Sequence, residues 1–117
     1  MLNKVVLKNI YDSILELSSL QNQHARWITG KGGRISGYAE LMCTLFDDCA
    51  FDLFVDKEAA ELNLSKSFIQ ELQILRDCLN SYQEDFKTRH EIIDDPEWLK
   101  VVTQAQKVIS MWEIKLQ

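Results

Sequence analysis

Apolar side chains recur along this chain at steps of three and four residues, the spacing that lines one face of an α-helix. Four stretches carry the pattern. The central one runs from Tyr38 to Asp56. At 100° per residue, the rotation of an α-helix, Tyr38, Leu41, Met42, Leu45, Phe46, Cys49 and Leu53 share one stripe, and Glu40, Thr44, Asp47, Asp48 and Phe51 lie opposite. Before it, Leu2 to about Gln23 reads as a first helix, with Val5, Val6, Ile10, Ile14, Leu17 and Leu20 or Gln21 on its buried side. A third helix starts at Asn63 or Ser65 and ends near Tyr82 or Gln83. Its seam is Phe68, Leu72, Leu75, Leu79 and Tyr82, flanked by Ile69 and Arg76. The fourth opens on Asp94-Asp95-Pro96-Glu97, the sharpest local signal in the chain. Asp95 suits the N-cap, Pro96 suits the first helical position, and Glu97 faces the positive end of the dipole. Trp98, Val101, Val102, Ala105, Val108, Ile109 and Trp112 form its stripe.

The connections are short. Residues 23–36 hold three of the four glycines, and such density marks a loop. Trp27 stands in that loop, as a plug for the end of the bundle or as an interface residue. Ser36 or Gly37 caps the second helix; with Gly37 as the cap, Glu40 falls at the third helical position. Residues 84–93 are charged and weakly patterned, and read as a loop with room for one helical turn. No stretch has the period of a strand. The pattern therefore predicts an all-α fold: one domain over residues 1–117, built as a small bundle of four helices, or five if the 84–93 stretch closes a turn.

Composition supports this and adds a charge asymmetry. The apolar fraction of 46% and the charged fraction of 26% are those of a globular chain. The net charge is −5. Residues 1–37 carry five basic and two acidic groups, +3, and residues 38–61 carry one basic and seven acidic, −6. Residues 62–117 carry seven basic and nine acidic, −2. An acidic centre disfavours nucleic acid there and suits a basic partner. No apolar run approaches the roughly 20 residues of a membrane span. The N-terminal stretch has acids within its apolar segment and no small-residue cleavage pattern, so the expected compartment is the cytoplasm. Three cysteines, Cys43, Cys49 and Cys78, form no Cys-x-x-Cys. They read as buried thiols, not as a disulfide framework or a zinc site.

Few constellations suggest chemistry. Gly30-Lys31-Gly32-Gly33-Arg34 has glycines and cations before a helix, but it lacks the P-loop spacing and a preceding strand. Asp47, Asp48, Asp52 and Asp56 lie on one helix, where their oxygens do not converge on a cation. His24 and His90 have no diagnostic neighbours. No catalytic residue, metal or cofactor is assigned. Phe51 and Val55 are the unusual positions, because the helical wheel points both outward among acids. An apolar centre with a charged rim is the usual form of a protein-binding face.

Two stretches resemble a known group of proteins. One is Trp27-Ile28-Thr29-Gly30 leading into Glu40-Leu41-Met42-Cys43-Thr44-Leu45-Phe46-Asp47-Asp48. The other is Ile93-Asp94-Asp95-Pro96-Glu97-Trp98-Leu99-Lys100-Val101-Val102. Together they resemble small helical immunity proteins of bacterial contact-dependent growth inhibition and polymorphic toxin systems. The resemblance implies a non-enzyme that binds and neutralises a cognate toxin domain, often a basic nuclease. The residues expected at such a contact are Asp47, Asp48, Phe51, Asp52 and Val55, with Lys31 and Arg34 of the glycine-rich loop as a second patch. The alternative is a small cytoplasmic adaptor or self-associating module that binds protein or RNA through the basic 26–34 loop.

Overall fold

The computed structural model describes residues 4–29, 37–82 and 88–112. Among these residues the fold is all-α, with no strand. Helix α1 spans Lys4–Leu17, and α2, Leu20–Gln23, opens into a wide (π) turn at His24–Thr29. Helix α3, Tyr38–Met42, opens into a second wide turn at Cys43–Asp48. Next come α4 at Phe51–Leu53, a third wide turn at Phe54–Glu58, and α5 at Ala59–Glu61. Helices α6 (Lys66–Ser81), α7 (Arg89–Ile93) and α8 (Pro96–Ser110) complete the order. Helix α8 packs between α1 and α6. It runs antiparallel to α6, since the Tyr82 hydroxyl donates to Asp95 Oδ2 (2.8 Å) and Gln104 Nε2 donates to Glu71 (2.9 Å). The Gln104 bond, then Lys107, hold the Glu71 carboxyl below its usual range.

Local signals explain the helix ends. Ser65 accepts a hydrogen bond from the Phe68 N–H, and Asp95 accepts from the Glu97 N–H with Pro96 at the first position. The seam Phe68, Leu72, Leu75 and Leu79 is buried as its spacing predicts, and so are Trp98, Val101, Val102, Ala105 and Val108. Residues 88–93, read as loop with room for a turn, hold α7. Thr88 and Glu91 close a reciprocal capping box there.

The N-terminal helix is shorter than its pattern suggested. Ser18 Oγ donates to the Leu15 carbonyl (2.6 Å), and Ser19 caps α2 by accepting from the Asn22 N–H. Two serines thus divide the segment by offering the backbone local partners. The seam of α1 is Leu7, Ile10, Ile14 and Leu17, whereas Val5 is 68% exposed. The following stretch is not loop from Gln23 onward. Gln23 and Trp27 are buried in helical turns that precede residue 30.

The largest departure is in the central segment. It is not one α-helix from Tyr38 to Asp56. The chain breaks at Cys49–Ala50, where Ala50 adopts a left-handed conformation (φ 50°, ψ 55°), and wide turns lie on both sides. Each residue added to a turn rotates everything downstream by about 100° against an uninterrupted helix. The stripe is therefore right up to Cys49 and reversed after it. Phe51 and Val55, expected outward, are 0% and 2% exposed, and Leu53, expected inward, is 51% exposed. Packing explains the break. The 43–48 turn lies on α1 and the 54–58 turn lies on α6, so the two halves must bury different sides. Phe51 stacks near Phe54 and receives the edge of Phe46.

A polar bridge crosses the core. Gln23, fully buried, donates through Nε2 to the carbonyls of Glu16 (3.1 Å) and Leu17 (3.0 Å), and its Oε1 accepts from Trp98 Nε1 (2.8 Å). Trp27 Nε1 donates to the buried Glu16 Oε2 (3.0 Å). Two outcomes follow for stability in urea. Gln23→Leu strands the Trp98 N–H and lowers stability by about 1–3 kcal/mol, whereas Gln106→Ala, at an exposed bond to Ser18, stays within about 0.5 kcal/mol. Ala50→Gly raises stability by about 0.5–1 kcal/mol, the left-handed penalty less the entropy that glycine adds to the unfolded chain.

Candidate partner-binding surface

Of the expected contact residues, the structure leaves Asp47, Asp48 and Asp52 exposed. Phe51 and Val55 are corrected: they belong to the core and cannot form the apolar centre of a surface face. Lys31 and Arg34 lie outside the described residues. Leu53 supplies the exposed apolar group that the wheel assigned to Phe51. It sits between Asp52 and Asp56, which are both exposed.

Asp52 and Asp56 are joined to α6 through Arg76. Its Nη1 lies 2.7 Å from Asp56 Oδ1 and 3.7 Å from Asp52 Oδ1, and its Nε donates to Asp77 Oδ1 at 2.9 Å. The Arg76 side chain is only 16% exposed, so its stem is packed while its fork meets the carboxylates. The hydrogen bonds of Asp56 and then Asp77 push the guanidinium above its already high value. Three carboxylates around one guanidinium leave two negative charges in surplus (3 − 1 = 2). The seam reading had placed Arg76 beside the buried stripe of its helix. That it reaches across to the central segment needs the tertiary arrangement, because the partners lie 20 and 24 residues away.

Asp77, which Arg76 holds, lines a cleft of about 640 Å³ between the C-terminal end of α6 and the N-terminal end of α8. Ile74, Cys78 and Val101 give it apolar walls, and Ser81 and Tyr82 also line it. Asp77, Asp95, Glu97 and Lys100 supply its charged groups. Asp95 is occupied by the Tyr82 hydroxyl and the Glu97 N–H, and Glu97 pairs with Lys100 at 3.1 Å. The Tyr82 ring is fixed by Trp98 (centroids 5.0 Å apart) and Tyr38 (6.0 Å). Sequence reasoning missed this cleft. Its parts come from two helices, and half-buried positions such as Cys78 carry no periodic signal.

The cysteines are not uniformly buried, contrary to their apolar context. Cys43 is exposed, Cys78 is half-buried and Cys49 is buried. Burial raises the Cys49 thiol above its usual value, and the neighbouring Asp48 adds to this. Burial and Asp77 raise Cys78, with Lys100 acting against them. Among the described residues no group of three or more His, Cys, Asp or Glu could hold a metal ion. No described helix is long and apolar enough to cross a membrane. No family model, curated protein or solved structure matches the chain.

Thiol titration with a disulfide reagent checks this arrangement. In the folded protein Cys43 reacts first and Cys78 more slowly, because a thiolate must be both formed and reached. Cys49 reacts only in denaturant. Equal rates for all three would contradict the packing of the 43–48 turn on α1.

Proposed function

We propose that this chain is a protein-binding module that neutralises a cognate toxin domain, in the manner of the immunity proteins it resembles. The observation that carries the reading is the exposure of four carboxylates of the central segment, Asp47, Asp48, Asp52 and Asp56, with the exposed Leu53 set among the last two. Carboxylates in this arrangement raise the rate of encounter with a basic surface, such as that of a nuclease, and the screening of that field by salt gives it a signature. An exposed leucine of 51% beside them gives the edge an apolar group that a partner can desolvate. Binding acts without any reacting group on this chain, since covering a toxin's substrate surface is enough to silence it.

Asp47 and Asp48 are the residues to alter, because no described ion pair within the chain ties them down, unlike Asp52 and Asp56. Asp47→Lys with Asp48→Lys is expected to keep the helical circular dichroism and to weaken binding of the cognate domain at least tenfold in calorimetry, about 1.4 kcal/mol or more. The loss is expected mostly in the association rate and to shrink at high salt. The domain to use is the C-terminal region of a large secreted protein, where one is encoded immediately upstream. Unchanged affinity, or unchanged protection of cells that express that domain, would remove the reading.

A further inference from the structure

We propose that the cleft between α6 and α8 receives an arginine side chain of the protein partner. The inference rests on the reading of this chain as a protein-binding module and adds the place and the chemistry of one anchor. A volume of about 640 Å³ lies within the roughly 300–1,000 Å³ of ligand-sized sites, enough for a long side chain and its flanking backbone. The apolar walls, Ile74, Cys78 and Val101, suit the methylene stem of such a side chain. Its charged groups are three carboxylates, Asp77, Asp95 and Glu97, against one ammonium, Lys100, a surplus of two negative charges (3 − 1 = 2).

That surplus is continuous with the one around Arg76. Across Asp52, Asp56, Asp77, Asp95 and Glu97 there are five carboxylates, and Arg76 and Lys100 supply two cations, a sum of −3 over these seven groups. The cleft carboxylates Asp77, Asp95 and Glu97 have hydrogen-bond partners within the chain. Asp95, held at both oxygens by the Tyr82 hydroxyl and the Glu97 N–H, presents its charge to an entering cation without rearranging. Arginine is favoured over lysine by the Tyr82 ring among the lining residues. A guanidinium plane stacks on an aromatic face, whereas a strongly hydrated ammonium gains less there. Ile74, a lining residue that is 39% exposed, gives the partner's flanking residues an apolar edge to cover.

The test needs no toxin. The ¹⁵N-labelled protein is titrated with N-acetyl-arginine methylamide, and separately with the neutral N-acetyl-norleucine methylamide, while amide shifts are followed by NMR. The arginine probe is expected to move the signals of Cys78, Tyr82 and Val101 saturably, several-fold more strongly than norleucine, with the effect reduced in high salt. Asp77→Asn with Glu97→Gln is expected to weaken it several-fold while leaving the remaining spectrum in place. Equal response to both probes would overturn the proposal, as would shifts confined to the Asp47–Asp48 edge or no shift in the cleft. Such a failure leaves the charge-reversal experiment on Asp47 and Asp48 standing, and a failure there leaves the titration readable.

Discussion

The fold depends on what Trp98 does at the start of α8. Its indole N–H is bonded to Gln23, and its ring meets Trp27, Tyr38 and Tyr82 at centroid distances of 5.9, 5.6 and 5.0 Å. Those contacts bring together the turn after α2, the beginning of α3 and the end of α6. Each aromatic pair adds roughly 0.5–1.5 kcal/mol beyond its buried area, and a buried N–H left unbonded would cost comparable energy. Gln23 completes the arrangement by also binding two carbonyls at the end of α1. One side chain on one helix therefore sets the positions of four other segments. Tyr82, held against Trp98 and bonded to Asp95, carries that order directly to the cleft wall.

What the sequence made legible follows from which elements are regular. Helices α6 and α8 read correctly because a cap fixes the start and an unbroken 3.6-residue period fixes the face: Ser65 and Phe68 through Leu79, Asp95 and Trp98 through Val108. The central segment read correctly only as far as Cys49. Beyond it, the wheel failed for a single reason, a phase error introduced by wide turns and by the left-handed Ala50. Nothing local announces that break. Alanine is a strong helix former, and left-handed residues are usually glycine or asparagine. Only the need to cover α1 with one half and α6 with the other accounts for it, and that need is tertiary. Asn63, also left-handed at φ 60°, is a break that residue type does announce.

That phase error moved the candidate site as well as the core. The acids kept their exposure, since carboxylates stay in water on whichever face they are placed, whereas Phe51 and Val55 changed places with Leu53. Trp27 followed the same logic. Glycines downstream made its neighbourhood read as loop, yet its indole N–H had a buried acceptor in Glu16, so the ring entered the core. Residues that need a partner for one polar atom are poorly placed by periodicity alone, because their position is decided by an acceptor many residues away.

The two features proposed to meet a partner rest on different kinds of backbone, and this difference matters for how they act. The acidic edge sits on short helical pieces joined by wide turns. Such pieces are held by packing and not by their own propensity, so their shape is set by the helices they cover. A field that steers an approaching surface needs no exact placement of its charges, because it falls off slowly with distance. The cleft is built instead on the ends of the two longest regular elements opposite each other, with Tyr82 locked by Trp98 and Asp95 locked as a cap. A pocket that selects one side chain by shape and charge needs that fixity, since a wall free to move loses the geometry that discriminates. On the proposed reading, encounter belongs to the acidic central segment and selection to the cleft. Arg76, bonded to Asp56 and to Asp77, is the side chain that keeps the two in register.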